Sequence, residues 1–121
     1  MFVTNFFSEN KILKISNKKE IRTLLKKICE KENKKISFIN YIFCSDNRLL
    51  KINKKHLKHT SLTDVITFNF TPNKKKLEGD VYISVDRVKK NATKYKEPFK
   101  AELLRIIIHG LLHLIGFSDK T

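Results

Sequence analysis

The chain contains no tryptophan, and it has little of three other residue types. Its 121 residues include two cysteines, three glycines and two prolines. Cys29 and Cys44 lie far apart and form no Cys-x-x-Cys pair, which argues against a zinc ribbon or a thiol redox motif. Two free thiols, buried or partly buried, are the expected arrangement. The chain also lacks a linker rich in proline, glycine or serine, so residues 1–121 are predicted to form a single domain.

A long hydrophobic run is missing as well. Crossing a bilayer takes about 18–20 apolar residues, and the longest apolar stretch here, Ile106–Ile115, is shorter and carries two histidines. The start of the chain has neither a basic segment nor a small-residue cleavage site, so it does not resemble a signal peptide. We therefore expect a cytoplasmic protein with no membrane partner.

Acidic residues are scarce beside basic ones. The chain has 26 lysines and arginines against 12 aspartates and glutamates, which gives a formal net charge of +14. Such an excess predicts a polyanionic partner, with RNA and DNA as the first candidates, attracted without regard to base sequence. An AT-rich genome gives an alternative explanation, because most of the basic residues are lysines and few are arginines. The charge by itself leaves both explanations open.

Hydrophobic periodicity predicts an α+β fold, with a small mixed sheet of about four strands and about four helices. An Asn17-x-x-Glu20 capping box precedes the first helix, Asp86 is predicted to cap the third, and Pro98 is placed in the first turn of the last. The last two strands could form a hairpin or merely lie side by side. The predicted helices cover about residues 18–32, 46–56, 87–96 and 98–115, and the predicted strands cover about residues 1–7, 36–44, 65–70 and 79–85.

The last predicted helix is apolar on nearly all sides, which is typical of a central helix packed against a sheet. Its polar exceptions form a stripe about 80° wide at 100° per residue, and a single polar stripe on a buried helix indicates a cleft. Gly110 costs about 1 kcal/mol in mid-helix against alanine. That cost is explained if another backbone or a ligand must pass close to His109. The stripe consists of Glu102, Arg105, His109 and His113.

His109 and His113 are the most informative pair in the chain. Residues at i and i+4 share one helix face, so both imidazoles can reach one point. Gly116 is predicted to end the helix, and Asp119 then returns an oxygen ligand, giving the three ligands and open position of catalytic metal sites. In zincin proteases a glutamate follows the first histidine, and Gly110 at that place excludes this chemistry. Two core histidines satisfied by hydrogen bonds are the alternative.

Three segments together resemble one family. His109–Phe117 reads His-Gly-Leu-Leu-His-Leu-Ile-Gly-Phe and resembles the signature of the YbeY family of endoribonucleases. Leu62–Phe68 and Glu78–Ser84 match two further motifs of that family in order, and Asn53 matches a residue of the helix before them. The resemblance covers most of the chain. It implies a single α+β domain that binds a metal ion, commonly zinc, and cleaves single-stranded RNA in rRNA maturation and ribosome quality control.

The family's metal ligands carry over to this sequence as His109, His113 and Asp119. The third position is most often histidine in the family, and Ser118 stands where the family often has aspartate. A carboxylate can bind Zn²⁺ but is a harder ligand, so the identity of the metal is less constrained than in an all-histidine site. Many members have an arginine before the Thr-Asp-Val motif, and Leu57 occupies that place here.

The resulting hypothesis is a metal-dependent endoribonuclease that acts on 16S rRNA precursor or on defective ribosomal RNA. Arg105, Lys58 and His59 are candidates for neutralising the phosphate and its developing charge. Glu102 is a candidate general base, and the nucleophile is either water or the neighbouring 2′-hydroxyl. The expected partners are the rRNA precursor and the small ribosomal subunit, with ribosomal proteins and assembly factors.

Two other functions stay open at this point. A non-catalytic ribosome-assembly factor would bind rRNA through its basic surface and use the metal for structure, and the missing arginine favours it. A metal hydrolase with a small substrate is the third candidate, for which the positive charge would be incidental.

Overall fold

The fold was obtained as a computed structural model that describes residues 3–9, 13–57, 64–72 and 75–116. Within them the chain forms four strands and four helices, as the periodicity predicts. In chain order the elements are β1 (Thr4–Ser8), α1 (Lys18–Lys31), β2 (Lys35–Cys44), α2 (Asp46–Leu57), β3 (Val65–Asn69), β4 (Lys76–Ser84), α3 (Val85–Lys94) and α4 (Phe99–Ile115).

The four strands form one mixed sheet in the order β1-β2-β4-β3. β1 is parallel to β2, and β2 is parallel to β4. β3 runs antiparallel to β4, with Val65 opposite Ile83 and Asn69 opposite Gly79. The last two strands are therefore paired neighbours, and β3 forms one edge of the sheet. The predicted α+β fold with a small mixed sheet is confirmed.

Helices cover the two faces of the sheet unequally. α1, α3 and α4 contribute to one large core on the first face, while α2 packs against a smaller cluster on the second. No helix in the described ranges has the length and apolar character needed to cross a membrane. The large core includes Leu25, Ile39, Tyr41, Phe43, Val81, Ile106, Ile107 and Leu111, and the smaller cluster is Cys44, Leu49, Ile52 and Ile66.

The sequence pattern explains these two faces. In α1 the buried residues Ile21, Leu25 and Cys29 recur every four positions and so lie along one stripe of the helix. In β2 the large-core residues Ile39, Tyr41 and Phe43 alternate, because successive side chains of a strand point to opposite faces. The free energy gained by removing these apolar side chains from water holds the helices on the sheet.

The strand before the third helix and the cap of that helix differ from prediction. β4 begins at Lys76, three residues earlier than expected, and α3 begins at Val85 directly after it. Ser84 is the N-cap, and its hydroxyl accepts a hydrogen bond from the backbone N–H of Arg87 at 3.2 Å. Asp86 lies in the first turn instead, where its carboxylate accepts the backbone N–H of Asp46 at 2.8 Å. The prediction that Asp86 caps the helix is therefore wrong, because β4 ends at Ser84, one residue before its predicted end, and α3 starts directly after it.

The first helix starts where it was predicted to start, but the predicted capping hydrogen bond of the Asn17 side chain is absent. Asn17 is the N-cap of α1, but its side chain makes no capping hydrogen bond. The backbone carbonyl of Asn17 accepts the N–H of Ile21 at 3.2 Å, which begins the helical ladder. The capping-box interpretation is therefore correct for the helix boundary and wrong for the side-chain interaction.

Both cysteines are buried free thiols, as predicted. Burial raises the pKa of Cys29 to about 11 and the pKa of Cys44 to about 12. The thiolate is the form that attacks electrophiles and binds metals. The raised pKa values favour the protonated form of both thiols at neutral pH.

Candidate metal centre

α4 is the central helix of the large core and carries the histidine pair. Pro98 is its N-cap rather than a first-turn residue, and the helix ends before Gly116, whose φ is 120°. The N–H of Gly116 donates to the carbonyls of Leu112 and His113, both at 3.1 Å. The predicted glycine stop is confirmed, since a positive φ is readily adopted by glycine.

Gly110 lets α4 lie close to the sheet. A Cβ at this position would lie 2.6 Å from Val81 Cγ1 and 3.4 Å from Val65 Cγ2. Side chains of β4 and β3 therefore fill the space beside the glycine. The sequence pattern suggested room for a backbone or a ligand, and the structure shows a valine from the sheet instead.

Two further contacts fix the C-terminal end of α4 on the sheet. The Asn69 side-chain amide donates to the carbonyl of Leu114 at 2.9 Å. A Cβ at Gly79 would lie 3.0 Å from Leu114 Cδ2 and 2.5 Å from the Phe68 carbonyl oxygen. The last turn of the helix is thus held against the β3–β4 pair, which positions the histidine face beside the edge strand.

The two histidines meet as their spacing predicts. His109 Nε2 and His113 Nε2 are 3.1 Å apart, and the ring centroids are 4.6 Å apart with an interplanar angle of 51°. Both residues are half-buried. Two nitrogen ligands at about 2.0–2.1 Å from a tetrahedral ion would be separated by about 3.3 Å. The observed separation is that of a hydrogen bond between the two rings, and it is also close to the separation of two ligands on one ion.

The other predicted site residues are only partly described. Asp119, Lys58 and His59 lie outside the described residues, so the three-ligand set stays a prediction. Within the described ranges, no group of three or more histidine, cysteine, aspartate or glutamate side chains is arranged to hold a metal ion. The pair of histidines is the part of the candidate centre that the structure brings together.

Glu102 and Arg105 form a second pair on the same helix. Arg105 Nε and Nη2 donate to the two carboxylate oxygens of Glu102 at 2.9 and 2.8 Å. Glu102 is 3% exposed, whereas the side chain of Arg105 is 53% exposed. The hydrogen bond from Arg105 is the main cause of a lowered pKa at Glu102, with a further hydrogen bond from Asn91. The carboxylate is therefore ionised with both oxygens engaged, which suits holding Arg105 more than accepting a proton.

Glutamine at Glu102 is expected to lower stability in a pH-dependent way. The lowered pKa means that the ionised carboxylate contributes stability above about pH 4.3, its unfolded value, and that this contribution is lost as the pH falls through the folded pKa. We expect a loss of about 1–3 kcal/mol at pH 7 and a much smaller loss near pH 3. Urea unfolding of both proteins at the two pH values measures it. Glu97→Gln, at an exposed position, is the control, and equal losses of Glu102→Gln at both pH values would contradict the assignment.

The sequence analysis did not identify the side chains of other elements that contact α4. Asn69 ends a strand and Asn91 lies in α3, and neither belongs to a motif or to the polar stripe of α4. Asn53 is also buried, at 3% exposed, on the other face of the sheet. Local patterns carried no signal for Asn69 or Asn91, because each contact joins two different elements, whereas the family resemblance had already marked Asn53.

Fold and site together define a class of protein. A four-stranded mixed sheet supports a buried C-terminal helix, and that helix presents two imidazoles one turn apart beside an edge strand. The family model described as "Endoribonuclease YbeY" matches residues 3–121. The chain therefore belongs to the YbeY family, as its motifs indicated.

Curated relatives agree with this assignment. The chain is 48% identical over 116 residues to the Endoribonuclease YbeY of Cytophaga hutchinsonii, covering 96% of this chain and 81% of that protein. It is 45% identical over 116 residues to the Endoribonuclease YbeY of Amoebophilus asiaticus, covering 96% and 79%. The solution structure of TM1509 from Thermotoga maritima has a TM-score of 0.58 at 23% identity, covering 99% of this chain and 79% of that one. That last similarity supports the fold.

Proposed function

We propose that this protein is a metal-dependent endoribonuclease that cleaves single-stranded RNA during maturation of 16S rRNA and in ribosome quality control. The observation that carries the proposal is the meeting of His109 Nε2 and His113 Nε2 at 3.1 Å, in a chain whose YbeY family match spans residues 3–121. The relatives named above are endoribonucleases by name. The net charge of +14 supports a polyanionic substrate.

The proposed ligands are His109, His113 and Asp119, with Zn²⁺ as the proposed ion. Two imidazole nitrogens and one carboxylate oxygen are a donor set that Zn²⁺ accepts, and three protein ligands leave a position open. When bound, such an ion polarises a phosphoryl oxygen and lowers the pKa of water. The hydrogen bond from Asn69 to Leu114 anchors the last turn of the helix, which carries His113.

Arg105 is the proposed phosphate-binding residue of the described chain. It lies one turn before His109, and the two hydrogen bonds to Glu102 hold its guanidinium in place. Those bonds use two of the five N–H groups and leave three for phosphoryl oxygens. Lys58 and His59 are proposed to add positive charge from the segment before the Thr-Asp-Val motif. The role proposed for Glu102 is to orient Arg105.

The proposed setting follows from the substrate. An enzyme of rRNA maturation acts in the cytoplasm, on the rRNA precursor and the small ribosomal subunit, among ribosomal proteins and assembly factors. One domain over residues 1–121 is proposed to carry the whole site.

Chelation tests the proposal against a binding role. The purified protein is incubated with a single-stranded RNA and with the same RNA in a duplex, before chelation, after it, and after Zn²⁺ is added back. We expect cleavage of the single strand alone, its loss on chelation and its return with the metal. A metal-loaded protein that binds the RNA and leaves it intact would instead identify a non-catalytic assembly factor.

A further inference from the structure

A cleft opens where α1 ends and β2 begins, away from the polar stripe of α4. Its volume is about 780 Å³. The buried side chains of Cys29 and Ile36 form its floor, and lysines form most of its rim. The lining residues are Lys26, Cys29, Glu30, Asn33, Lys34, Lys35, Ile36 and Lys75. We refer to this feature as the lysine cleft.

The charge of the lysine cleft is strongly positive. Four lysines and one carboxylate, Glu30, line it. Among the described residues, Lys26, Lys35 and Lys75 take part in no ion pair. All three are exposed. Four ammonium groups against one carboxylate leave a net positive charge in the cleft, which favours the binding of an anion.

The backbone brings these lysines together from three segments. Asn33 adopts a positive φ of 57° and turns the chain from α1 into β2. The N–H of Lys35 then donates to the carbonyl of Lys75 at 2.8 Å, which joins the start of β2 to the residue before β4. The carbonyl of Cys29, at the end of α1, accepts the N–H of Lys34 at 2.8 Å. Backbone hydrogen bonds therefore hold in place the segments that carry these lysines.

The C-terminal end of α4 and the lysine cleft lie at the same end of the sheet. α4 ends beside the start of β4, where Leu114 Cδ2 approaches Gly79. Lys75 precedes Gly79 by four residues, a distance of about 13 Å along an extended strand. α1 and α4 also pack on the same face of the sheet. A strand of RNA bound near the end of α4 would therefore run toward the cleft.

We propose that the lysine cleft binds the phosphate backbone of single-stranded RNA beside the catalytic centre. This inference rests on the proposed function, because it takes single-stranded RNA as the substrate class. Lysine holds phosphate as a point charge, and contacts to phosphate position a strand without reading its bases. The cleft therefore adds affinity and length to the RNA-binding surface, and it does so equally for all sequences.

Charge removal with a matched control tests the proposal. One variant carries Lys26→Gln, Lys35→Gln and Lys75→Gln, and the control carries Lys18→Gln, Lys89→Gln and Lys100→Gln, at exposed positions in helices outside the cleft lining. Both lose three positive charges. Binding of the metal-loaded protein to a fluorescein-labelled, 2′-O-methylated single strand is followed by anisotropy between about 0.1 and 1 M salt, and gels verify that the strand stays intact. Thermal unfolding verifies that both variants fold.

The cleft variant is expected to lose about three phosphate contacts. At about 0.7 per contact on a single strand, the slope of log K against log salt falls in magnitude by about 2, and affinity at 0.1 M falls by on the order of 100-fold. The control is expected to change this slope by less than about 0.7, the value for one phosphate contact. Equal losses in the two variants would overturn the proposal, because overall charge would then explain both. Equal competition by polyglutamate of matched charge would overturn it as well.

Binding is measured apart from cleavage, so the two proposals fail separately. A protein that cuts no RNA but loses affinity only in the cleft variant would retain the lysine cleft as an RNA site. A protein that cuts RNA but shows no difference between the variants would retain the nuclease and lose the cleft.

Discussion

Alanine at His113 is expected to lower the affinity for a divalent ion by at least 100-fold and to reduce RNA cleavage to background. Changes to groups that only support a metal ligand already cost about 10- to 100-fold, and this change removes a ligand. The neighbouring imidazole of His109 lies 3.1 Å away and cannot replace it, since one nitrogen cannot occupy two positions around an ion. Metal content after dialysis, Zn²⁺ titration and single-strand cleavage measure the effect.

Two further variants make this test specific. His109→Ala is expected to behave in the same way, whereas Lys100→Ala, at an exposed position near the start of the same helix, keeps both metal and activity. Unfolding curves distinguish a lost ligand from a lost fold, because both histidines are half-buried and lie outside the fully buried core. Full metal retention in His113→Ala would remove the imidazole pair from the metal site.

Asp119 allows a third comparison. Asp119→Asn keeps the size of the side chain and removes its charge, so a carboxylate ligand predicts a clear loss of metal affinity. Unchanged metal content in both Asp119→Asn and Asp119→Ala would show that the three-ligand site is drawn wrongly. The histidine variants would keep their meaning in that case, since they are read independently.

Alanine at Gly110 is expected to destabilise the protein by about 1–3 kcal/mol, although alanine is the better helix former. The added Cβ would lie 2.6 Å from Val81 Cγ1, and Val81 is fully buried. Overpacking of this kind costs about 1–3 kcal/mol, occasionally more, and it exceeds the gain of about 1 kcal/mol in helix propensity. Urea unfolding at neutral pH measures the change. Thr93→Ala, at an exposed position of α3, serves as the helix-propensity control and is expected to be neutral or slightly stabilising.

A double-mutant cycle attributes the effect to that contact. Val81→Ala alone leaves a cavity and is expected to cost on the order of 2 kcal/mol. With both substitutions, the new methyl group at residue 110 occupies the space that the valine vacates, so the total loss is expected to fall short of the sum by about 1 kcal/mol or more. Strict additivity would mean that the helix shifts away from the sheet instead of pressing on Val81.

Several features of helix α4 were predictable from the local sequence. The spacing of His109 and His113 is a local property, because four residues make just over one turn and bring the two side chains to one face. That the two side chains meet on one face was therefore predictable before any fold was known. The same holds for the glycine stop at Gly116 and for the burial of Cys29 and Cys44.

Contacts between distant elements were outside the reach of the pattern. Gly110 could be recognised as anomalous, but only the packing of α4 on β4 identifies Val81 as its cause. Glu102 was a candidate base from its place in the polar stripe. In the fold it is buried and bonded at both oxygens to Arg105, which makes it a positioning residue in the proposed site. The cap of α3 moved from Asp86 to Ser84 because the strand before it ends at Ser84, one residue before its predicted end.

The sequence by itself determined the elements, the paired histidines and the YbeY motifs, because periodicity, helix spacing and short motifs depend on neighbouring residues. Tertiary structure alone decided the order of the strands and the hydrogen bond from Asn69 to the carbonyl of Leu114. It also decided that Lys26, Lys35 and Lys75 line one cleft. These features join residues tens of positions apart. These residues come together because folding buries a core that all of the elements share, and no single segment can bury that core alone.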